Sequence, residues 1–467
     1  MTSKIKFGTD GWRAVIAEDF TFENVRIAGQ AYSDYLLTTG NGQGAAIGYD
    51  TRFLSERFAK TIADVLASNG IPVFLSEDFI PTPVLSFAVK NRSLAGGIMI
   101  TASHNPHIYN GIKFKGEYGG PVNEAVTKNI EKLLGKNEPK YNSKLIEKNL
   151  AAADFFKEYA AHIENYADFS LLERFKGSIV FDAMHGAGCG YLQKLLDKTG
   201  IRLKAVRNEP DPQFGGICPE PIAKNLNELQ SAVVKSNAAA GLALDGDADR
   251  FGVLDHLGNF VELHDLMPML FEHLLRTRNW PGNIVRTTSM ADTIDRAAAK
   301  HSRSVIEVPV GFKNVTDQMI SDTILIGGEE SGGFGYYGHI PERDGLLSCL
   351  LVLELLADTQ KTLPELVEEL RNAYGDFAYS RVDEYFDTAK LNANLEALRK
   401  QPPKMIGGFK IKSVTLIDGI KFCFENGSWM LMRVSQTEPL GRIYAASTAQ
   451  NFVTKIIEAG RALLMKE

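Results

Sequence analysis

Two short segments hold most of the chemistry available to this chain: Thr101-Ala102-Ser103-His104-Asn105-Pro106 and Asp245-Gly246-Asp247-Ala248-Asp249-Arg250. The first presents a hydroxyl in a tight turn. The second sets three carboxylates on alternate residues, and ionised carboxylates that close repel one another unless a cation neutralises them. All-oxygen donors suit Mg2+ or Mn2+ rather than the softer metals that prefer His and Cys. A phosphorylatable serine beside a hard divalent cation is the equipment of phosphoryl transfer. Taken singly, each segment has a plainer reading, Ser103 as a turn serine and the trio as a solvated acidic turn. An EF-hand does not fit: the sixth ligand-loop position is Arg250 instead of Gly and the twelfth is His256 instead of Glu. Nor does Ser103 sit in the Gly-x-Ser-x-Gly elbow of an acyl-transfer serine.

Two further segments add binding groups. Gly328-Glu329-Glu330-Ser331-Gly332-Gly333 places a carboxylate and a hydroxyl in a glycine-rich turn, a set suited to vicinal sugar hydroxyls or, more simply, a polar turn. Arg433-Val434-Ser435-Gln436-Thr437-Glu438-Pro439, with Arg442 shortly after, gathers two guanidinium groups, two hydroxyls and turn amides, the components of a phosphate cradle.

Short apolar runs must position these groups. Gly97-Ile98-Met99-Ile100 precedes Ser103, Gly241-Leu242-Ala243-Leu244 and Phe251-Gly252-Val253-Leu254 flank the acidic trio, and Ile324-Leu325-Ile326 precedes Glu329, so each motif is expected where a strand ends. A strand–helix–strand plan recurs three times. Strand 45–50, helix 56–69 and strand 71–75 are followed by strand 178–182, a helix near 190–198 and strand 201–206, then by strand 283–287, helix 291–300 and strand 305–308. Three such units imply three α/β domains of one ancestry.

Bulk properties constrain the partners. At 467 residues the chain is too long for one core. A net charge of −6 gives no general basic surface for nucleic acid, so an anionic substrate must be drawn by local Arg and Lys clusters. Cys189, Cys218, Cys349 and Cys423 lack paired spacing, which argues against a disulfide frame or zinc site and suits a reducing compartment. The N-terminal stretch is not a signal peptide, and the most apolar segment, Leu346 to Ala357, contains Glu354 and is too short to span a bilayer, so a cytoplasmic protein without membrane partners is expected.

In combination the motifs resemble those of the α-D-phosphohexomutases, a family that includes phosphoglucomutases, phosphomannomutases and phosphoglucosamine mutases. Four signatures occur in the family's order, within a match running from Thr9-Asp10-Gly11-Trp12-Arg13 to Arg442-Ile443-Tyr444. The resemblance implies that Ser103 carries the transferable phosphoryl group and that Asp245, Asp247 and Asp249 hold Mg2+ together with a phosphoserine oxygen. It implies that Arg250, Lys113, His104 and Arg13, with Asp10 in the same N-terminal loop, flank the transfer site. Glu329 and Ser331 would contact sugar hydroxyls, and Arg433, Ser435, Gln436, Thr437 and Arg442 would clamp the phosphate that is not transferred. Pro309-Val310-Gly311-Phe312-Lys313-Asn314 resembles the phosphoglucomutase form of the family's specificity loop, which adds Lys313 to the substrate contacts. Two departures stand out: Gln436 replaces a usual Gly in the cradle, and Gly333 stands where phosphomannomutase-type enzymes often have His. The specificity loop and Gly333 both favour a glucose phosphate over mannose or glucosamine phosphate.

The expected architecture is therefore three similar α/β domains with mixed sheets plus a smaller α+β C-terminal domain around a central cleft, divided at 1–145, 146–256, 257–372 and 373–467. The expected reaction is reversible transfer between hexose 1-phosphate and hexose 6-phosphate through phosphoserine and a hexose 1,6-bisphosphate, the latter also serving as activator, in a monomer or homodimer. Two rivals from other classes are a metal-dependent phosphatase and a catalytically silent sugar-phosphate binding protein.

Overall fold

The computed structural model describes residues 5–8, 11–39, 42–385, 388–434 and 440–464. Asp10, Ser435, Gln436 and Thr437 lie outside the described residues.

Four sheets follow one another along the chain, and the first three share one arrangement. In chain order its strands are Ala45–Tyr49, Val73–Ser76, Gly96–Ile100 and Tyr109–Gly116 in the first unit. In the second they are Ser178–Asp182, Arg202–Val206, Ala240–Leu244 and Phe251–Leu254, and in the third Asn283–Thr287, Val305–Val308, Ile324–Gly328 and Phe334–Tyr336. Each time the spatial order is fourth, third, first, second, with the first three strands parallel and the fourth antiparallel. Helices connect the parallel strands: Ser55–Ser68 and Thr82–Asn91, then Tyr191–Leu196 and Asn227–Ser236, then Thr293–Lys300 and Phe312–Ser321. Parallel neighbours need such crossovers, and they leave the sheets buried on both faces, which is why strands such as Ala45–Tyr49 and Ala240–Leu244 are apolar and wholly buried.

The first sheet has seven strands, because Trp12–Val15 joins at the Tyr109–Gly116 edge, Gly120–Pro121 pairs beside it, and Leu150–Ala153 adds in parallel to Val73–Ser76. It therefore continues beyond residue 145, since Ser143–Asn149 is helical and runs directly into that last strand. The second sheet likewise runs past 256: Leu254 bridges Phe260 around a turn closed by Asp255, which accepts from the amides of Leu257 and Asn259.

The segment Leu346 to Ala357 lies within helix Gly345–Thr359, buried from Gly345 to Ala357 in a core shared by the first three units. Its one charge, Glu354, is fully buried and saturated by Arg278 (2.7 Å), His273 (3.2 Å) and the amide of Asp168 (2.8 Å). A buried carboxylate needs such partners. Among the described residues no helix is long and apolar enough to cross a membrane.

The fourth sheet is antiparallel throughout, in the order Ala378–Tyr385, Leu440–Ser447, Trp429–Val434, Ile420–Phe424, Phe409–Thr415 and Met405–Ile406. Helices Thr388–Lys400 and Gln450–Leu464 cover it and enclose a separate core around Phe422, Met430, Ile443 and Ile456.

Candidate active site

Each of the first three units turns back from its third strand into its antiparallel fourth strand, and the three turns are 101–108, 245–250 and 329–333. These turns carry three of the motifs named above. One position in a repeated fold thus delivers Ser103, the aspartate trio and Glu329.

The Ser103 turn is held open against its own preference. Ser103 has φ of +52°, a left-handed conformation uncommon for a residue with a side chain, and such geometry persists only where the surroundings over-determine it. Buried Arg52 supplies that determination. Its Nη2 donates to the carbonyls of Ser103 (2.6 Å) and Asn105 (2.7 Å), and its Nη1 to those of Pro106 (2.9 Å) and Tyr109 (2.9 Å). Asp50, 3.2 Å from Nε, balances the charge, and the Thr101 hydroxyl accepts from the Ser103 amide (2.8 Å). The trio passes directly over this turn. A Cβ on Gly246 would lie 2.4 Å from the Ser103 carbonyl oxygen, so only glycine permits the approach.

That approach brings Ser103 Oγ to 2.8 Å from Asp245 Oδ2. Asp245, Asp247 and Asp249 are completely buried, with one ligand atom from each lying within 4.8 Å of the others. Cations hold the same side of two of them: Lys113 Nζ binds Asp247 Oδ2 (2.6 Å) and Asp249 Oδ2 (2.9 Å), and Arg343 Nη2 binds Asp249 Oδ2 (2.7 Å). Thr82 Oγ1 also donates to Asp247 Oδ2 (2.6 Å). Asp247 Oδ1 and Asp249 Oδ1 are left buried with no hydrogen-bond partner among the described residues. Buried orphan oxygens cost free energy unless something outside the chain satisfies them. Two such oxygens beside Asp245 and a serine hydroxyl make an all-oxygen donor set that fits a hard divalent cation. Electrostatics agree. Burial, then the charges of Asp247 and Asp249, push the Asp245 carboxyl well above the aspartate range. Burial opposes ionisation of Asp247 too, but Lys113, Thr82 and Arg343 hold its carboxyl below that range. His104, beside Ser103, is kept neutral by burial and then by Arg250, Arg13 and Lys113.

From the trio a polar chain reaches the fourth sheet. Arg343 lies 3.6 Å from Glu329 Oε2, whose Oε1 accepts from the Gly311 amide (2.9 Å). The neighbouring Val310 amide donates to Asp418 Oδ2 (3.1 Å), and the same oxygen is 2.9 Å from Arg433 Nε. Ser103, the trio, Glu329 and Arg433 are therefore joined by consecutive contacts, although they come from four units. Arg442 stands opposite Arg433 on the adjacent strand, with Asp383 3.5 Å from its Nε. Arg13 Nη1 donates to Asn105 (2.6 Å) at the Ser103 turn, Arg250 Nε lies 3.9 Å from Asp249 Oδ1, and Lys313 Nζ lies 3.8 Å from Glu124. Ser331 shares the 329–333 turn with Glu329.

Four participants escaped the sequence reading. Arg52 stands three residues past the strand Ala45–Tyr49, Arg343 in a charged Glu342-Arg343-Asp344 run before an apolar helix, and Asp418 before a turn glycine. Glu330 binds the hydroxyls of Ser289 and Thr287 inside the third unit. Arg343 alone had a legible signal, charge set directly against an apolar run.

Comparison with known proteins agrees with this geometry. Family models described as phosphoglucomutase/phosphomannomutase alpha/beta/alpha domains I, II and III match residues 4–141, 157–258 and 264–374. The chain is 30% identical over 460 residues to a phosphoglucomutase/phosphomannomutase of Thermococcus kodakarensis, with 98% of each chain covered. It is 28% identical to a phosphoglucosamine mutase of Methanococcus maripaludis, covering 93% of this chain and 94% of that one. A crystal structure from Thermus thermophilus, designated a phosphomannomutase, superposes with a TM-score of 0.87 at 35% identity, over 99% of this chain and 100% of that one. The chain belongs to the phosphoglucomutase/phosphomannomutase family, the α-D-phosphohexomutases, and is an enzyme of that isomerase group.

Proposed function

We propose that this enzyme moves a phosphoryl group reversibly between O1 and O6 of a hexose phosphate, with glucose as the preferred sugar, and that Ser103 carries the group between the two positions. The observation that carries the reading is the Ser103 hydroxyl placed 2.8 Å from Asp245 in a buried aspartate trio with two unsatisfied oxygens. Asp245, Asp247, Asp249 and the oxygen of Ser103 would hold Mg2+. Bound there, the ion offsets charge on the transferring group.

The chain's own residues do the rest. As the bond from Ser103 Oγ to phosphorus breaks, a bond from a sugar hydroxyl oxygen to phosphorus forms, and the hydroxyl proton passes to the departing Ser103 oxygen, which restores the serine hydroxyl. His104, kept neutral beside the serine, can hydrogen-bond the hydroxyls there without holding the proton itself. Lys113, Arg250 and Arg13 offset the negative charge around the transfer. Glu329 and Ser331 orient the sugar through its hydroxyls, Lys313 adds to the substrate contacts, and Arg433 and Arg442, with Ser435, Gln436 and Thr437, grip the second phosphate. The hexose 1,6-bisphosphate formed this way turns end for end and returns its other phosphoryl group to Ser103. In this division of labour the first unit supplies the serine, the second the metal ligands, the third the sugar contacts and the fourth the phosphate clamp. Glucose is favoured by the Pro309–Asn314 segment, which resembles the phosphoglucomutase form of the specificity loop, and by Gly333, which stands where phosphomannomutase-type enzymes often have His.

The test is to incubate the protein with glucose 1-phosphate, Mg2+ and catalytic glucose 1,6-bisphosphate, following both glucose 6-phosphate and inorganic phosphate, with mannose and glucosamine phosphates in parallel. Isomerisation with little free phosphate is expected. Phosphate release without isomerisation would identify a phosphatase instead, and bisphosphate binding without turnover a silent binding protein.

A further inference from the structure

We infer that Asp418 is a positioning residue that couples the phosphate clamp on the fourth sheet to the loop that reads the sugar, so that an anion at Arg433 and the register of residues 309–311 are set together. The inference rests on the clamp and sugar-loop assignments above and adds a residue to them.

Side chains tie the loop 309–311 at four backbone groups. Asn314 Nδ2 donates to the carbonyls of Pro309 (3.1 Å) and Val310 (3.3 Å), and the amide of Gly311 donates to Glu329 (2.9 Å). All three of those ties lie within the third unit. The fourth, from the Val310 amide to Asp418 Oδ2, reaches the fourth unit. Asp418 is well placed to serve two partners because its own turn is rigid. Gly419 has φ of +67°, and a Cβ there would meet the Met432 carbonyl oxygen at 2.2 Å, which locks the turn against the residue preceding Arg433. The Asp418 side chain is only 15% exposed and that of Arg433 5%, so little water screens their 2.9 Å contact.

One carboxylate oxygen thus answers to a guanidinium and to a loop amide. A phosphate arriving at Arg433 competes for the guanidinium and places like charge beside Asp418. The carboxylate orients Arg433 while weakening its hold on an anion, a useful property where the bound bisphosphate must let go and turn round. Because the same oxygen supports Val310, events at the clamp are felt at the loop facing the sugar.

Two substitutions separate the two functions. Asp418→Asn keeps an oxygen for the Val310 amide but removes the charge, so inorganic phosphate, titrated calorimetrically, should bind about three- to tenfold more tightly than to the parent. The KM for glucose 6-phosphate should fall with it, and the preference between glucose and mannose phosphates should not move. The gain should vanish in Asp418→Asn/Arg433→Ala. Asp418→Ala removes both functions and should also relax the glucose-over-mannose ratio of kcat/KM by about threefold or more. Unchanged phosphate affinity in Asp418→Asn overturns the proposal, as does an Asp418→Ala variant whose only change is a lower Tm, the signature of a mere brace. If the parent isomerises no hexose phosphate, the mutase reading fails, whereas the phosphate titrations still decide whether Asp418 governs the clamp.

Discussion

The second and third units place acidic turns at the same point of the same four-strand arrangement, yet the two turns suit different chemistry. In 245–250, three buried carboxylates face Lys113, Arg343 and Arg250, and two of their oxygens remain unsatisfied. In 329–333, Glu329 has both oxygens engaged, one by the Gly311 amide and one by Arg343, and Glu330 is turned to the hydroxyls of Ser289 and Thr287. The fold fixes where the turn goes. Whether donors reach every carboxylate oxygen decides what it does: buried oxygens without a donor call for a cation, whereas a carboxylate already engaged by neutral and charged donors is fitted to share hydrogen bonds with neutral hydroxyls.

The largest effect expected lies outside both turns, at the group they serve. Ser103→Ala should lower mutase turnover by more than about a hundredfold, since no other hydroxyl replaces a covalent carrier. A smaller loss, measured with saturating glucose 1,6-bisphosphate, would remove Ser103 from the carrier role and leave the aspartate turn without a reacting partner.

The comparison itself is broken or sharpened by neutralising one carboxylate in each turn. Asp247→Asn should raise the Mg2+ concentration for half-maximal activity by about ten- to a hundredfold, because an amide replaces an anionic ligand. Glu329→Gln should leave that Mg2+ requirement alone and raise the KM for the sugar phosphate by about tenfold, the scale of one lost charge-assisted hydrogen bond. Equal Mg2+ dependence in the two variants, read from activity against free Mg2+, would mean that the turns share one function and that unsatisfied oxygens are the wrong criterion.

Much of this site could be read before any coordinates because its chemistry is compressed into short segments. Asp245 to Asp249 announces itself through like charge at close spacing, and Ser103 through a hydroxyl at the end of an apolar run. The three strand–helix–strand units were legible for a related reason, since their buried parallel strands are continuous apolar runs such as Ile324-Leu325-Ile326. Arg52 and Asp418 were not legible, and Arg343 showed only as charge against an apolar run. Each owes its role to partners far along the chain: Arg52 to carbonyls from 103 to 109, Arg343 to Asp249, and Asp418 to Val310. The edge strand Leu150–Ala153 was missed because a polar, helical approach hides it and its middle residues are exposed.

The smallest effect expected concerns an aromatic contact between the third and fourth units. His264, buried in helix Leu263–Arg278, accepts from the Ala291 amide through Nδ1 (3.1 Å) and packs on Phe377 and Tyr379, which lead into the fourth sheet. Burial lowers its pKa to about 3, against about 6.5 in an unfolded chain. Between those values the unfolded state binds a proton that the folded state excludes, so stability rises with pH through this window, is full above the unfolded value, and is lost as the solution is acidified. From pH 6.5 to 5.5 the loss should be about 1 kcal/mol from this residue alone. His264→Asn keeps an acceptor for the Ala291 amide and cannot titrate, so urea unfolding at the two pH values should show a pH dependence reduced by that amount. An Asn variant whose stability falls with acid as steeply as the parent's would show that protonation of His264 is not opposed at this joint, and that the fourth unit is held on by groups other than the aromatic contact described.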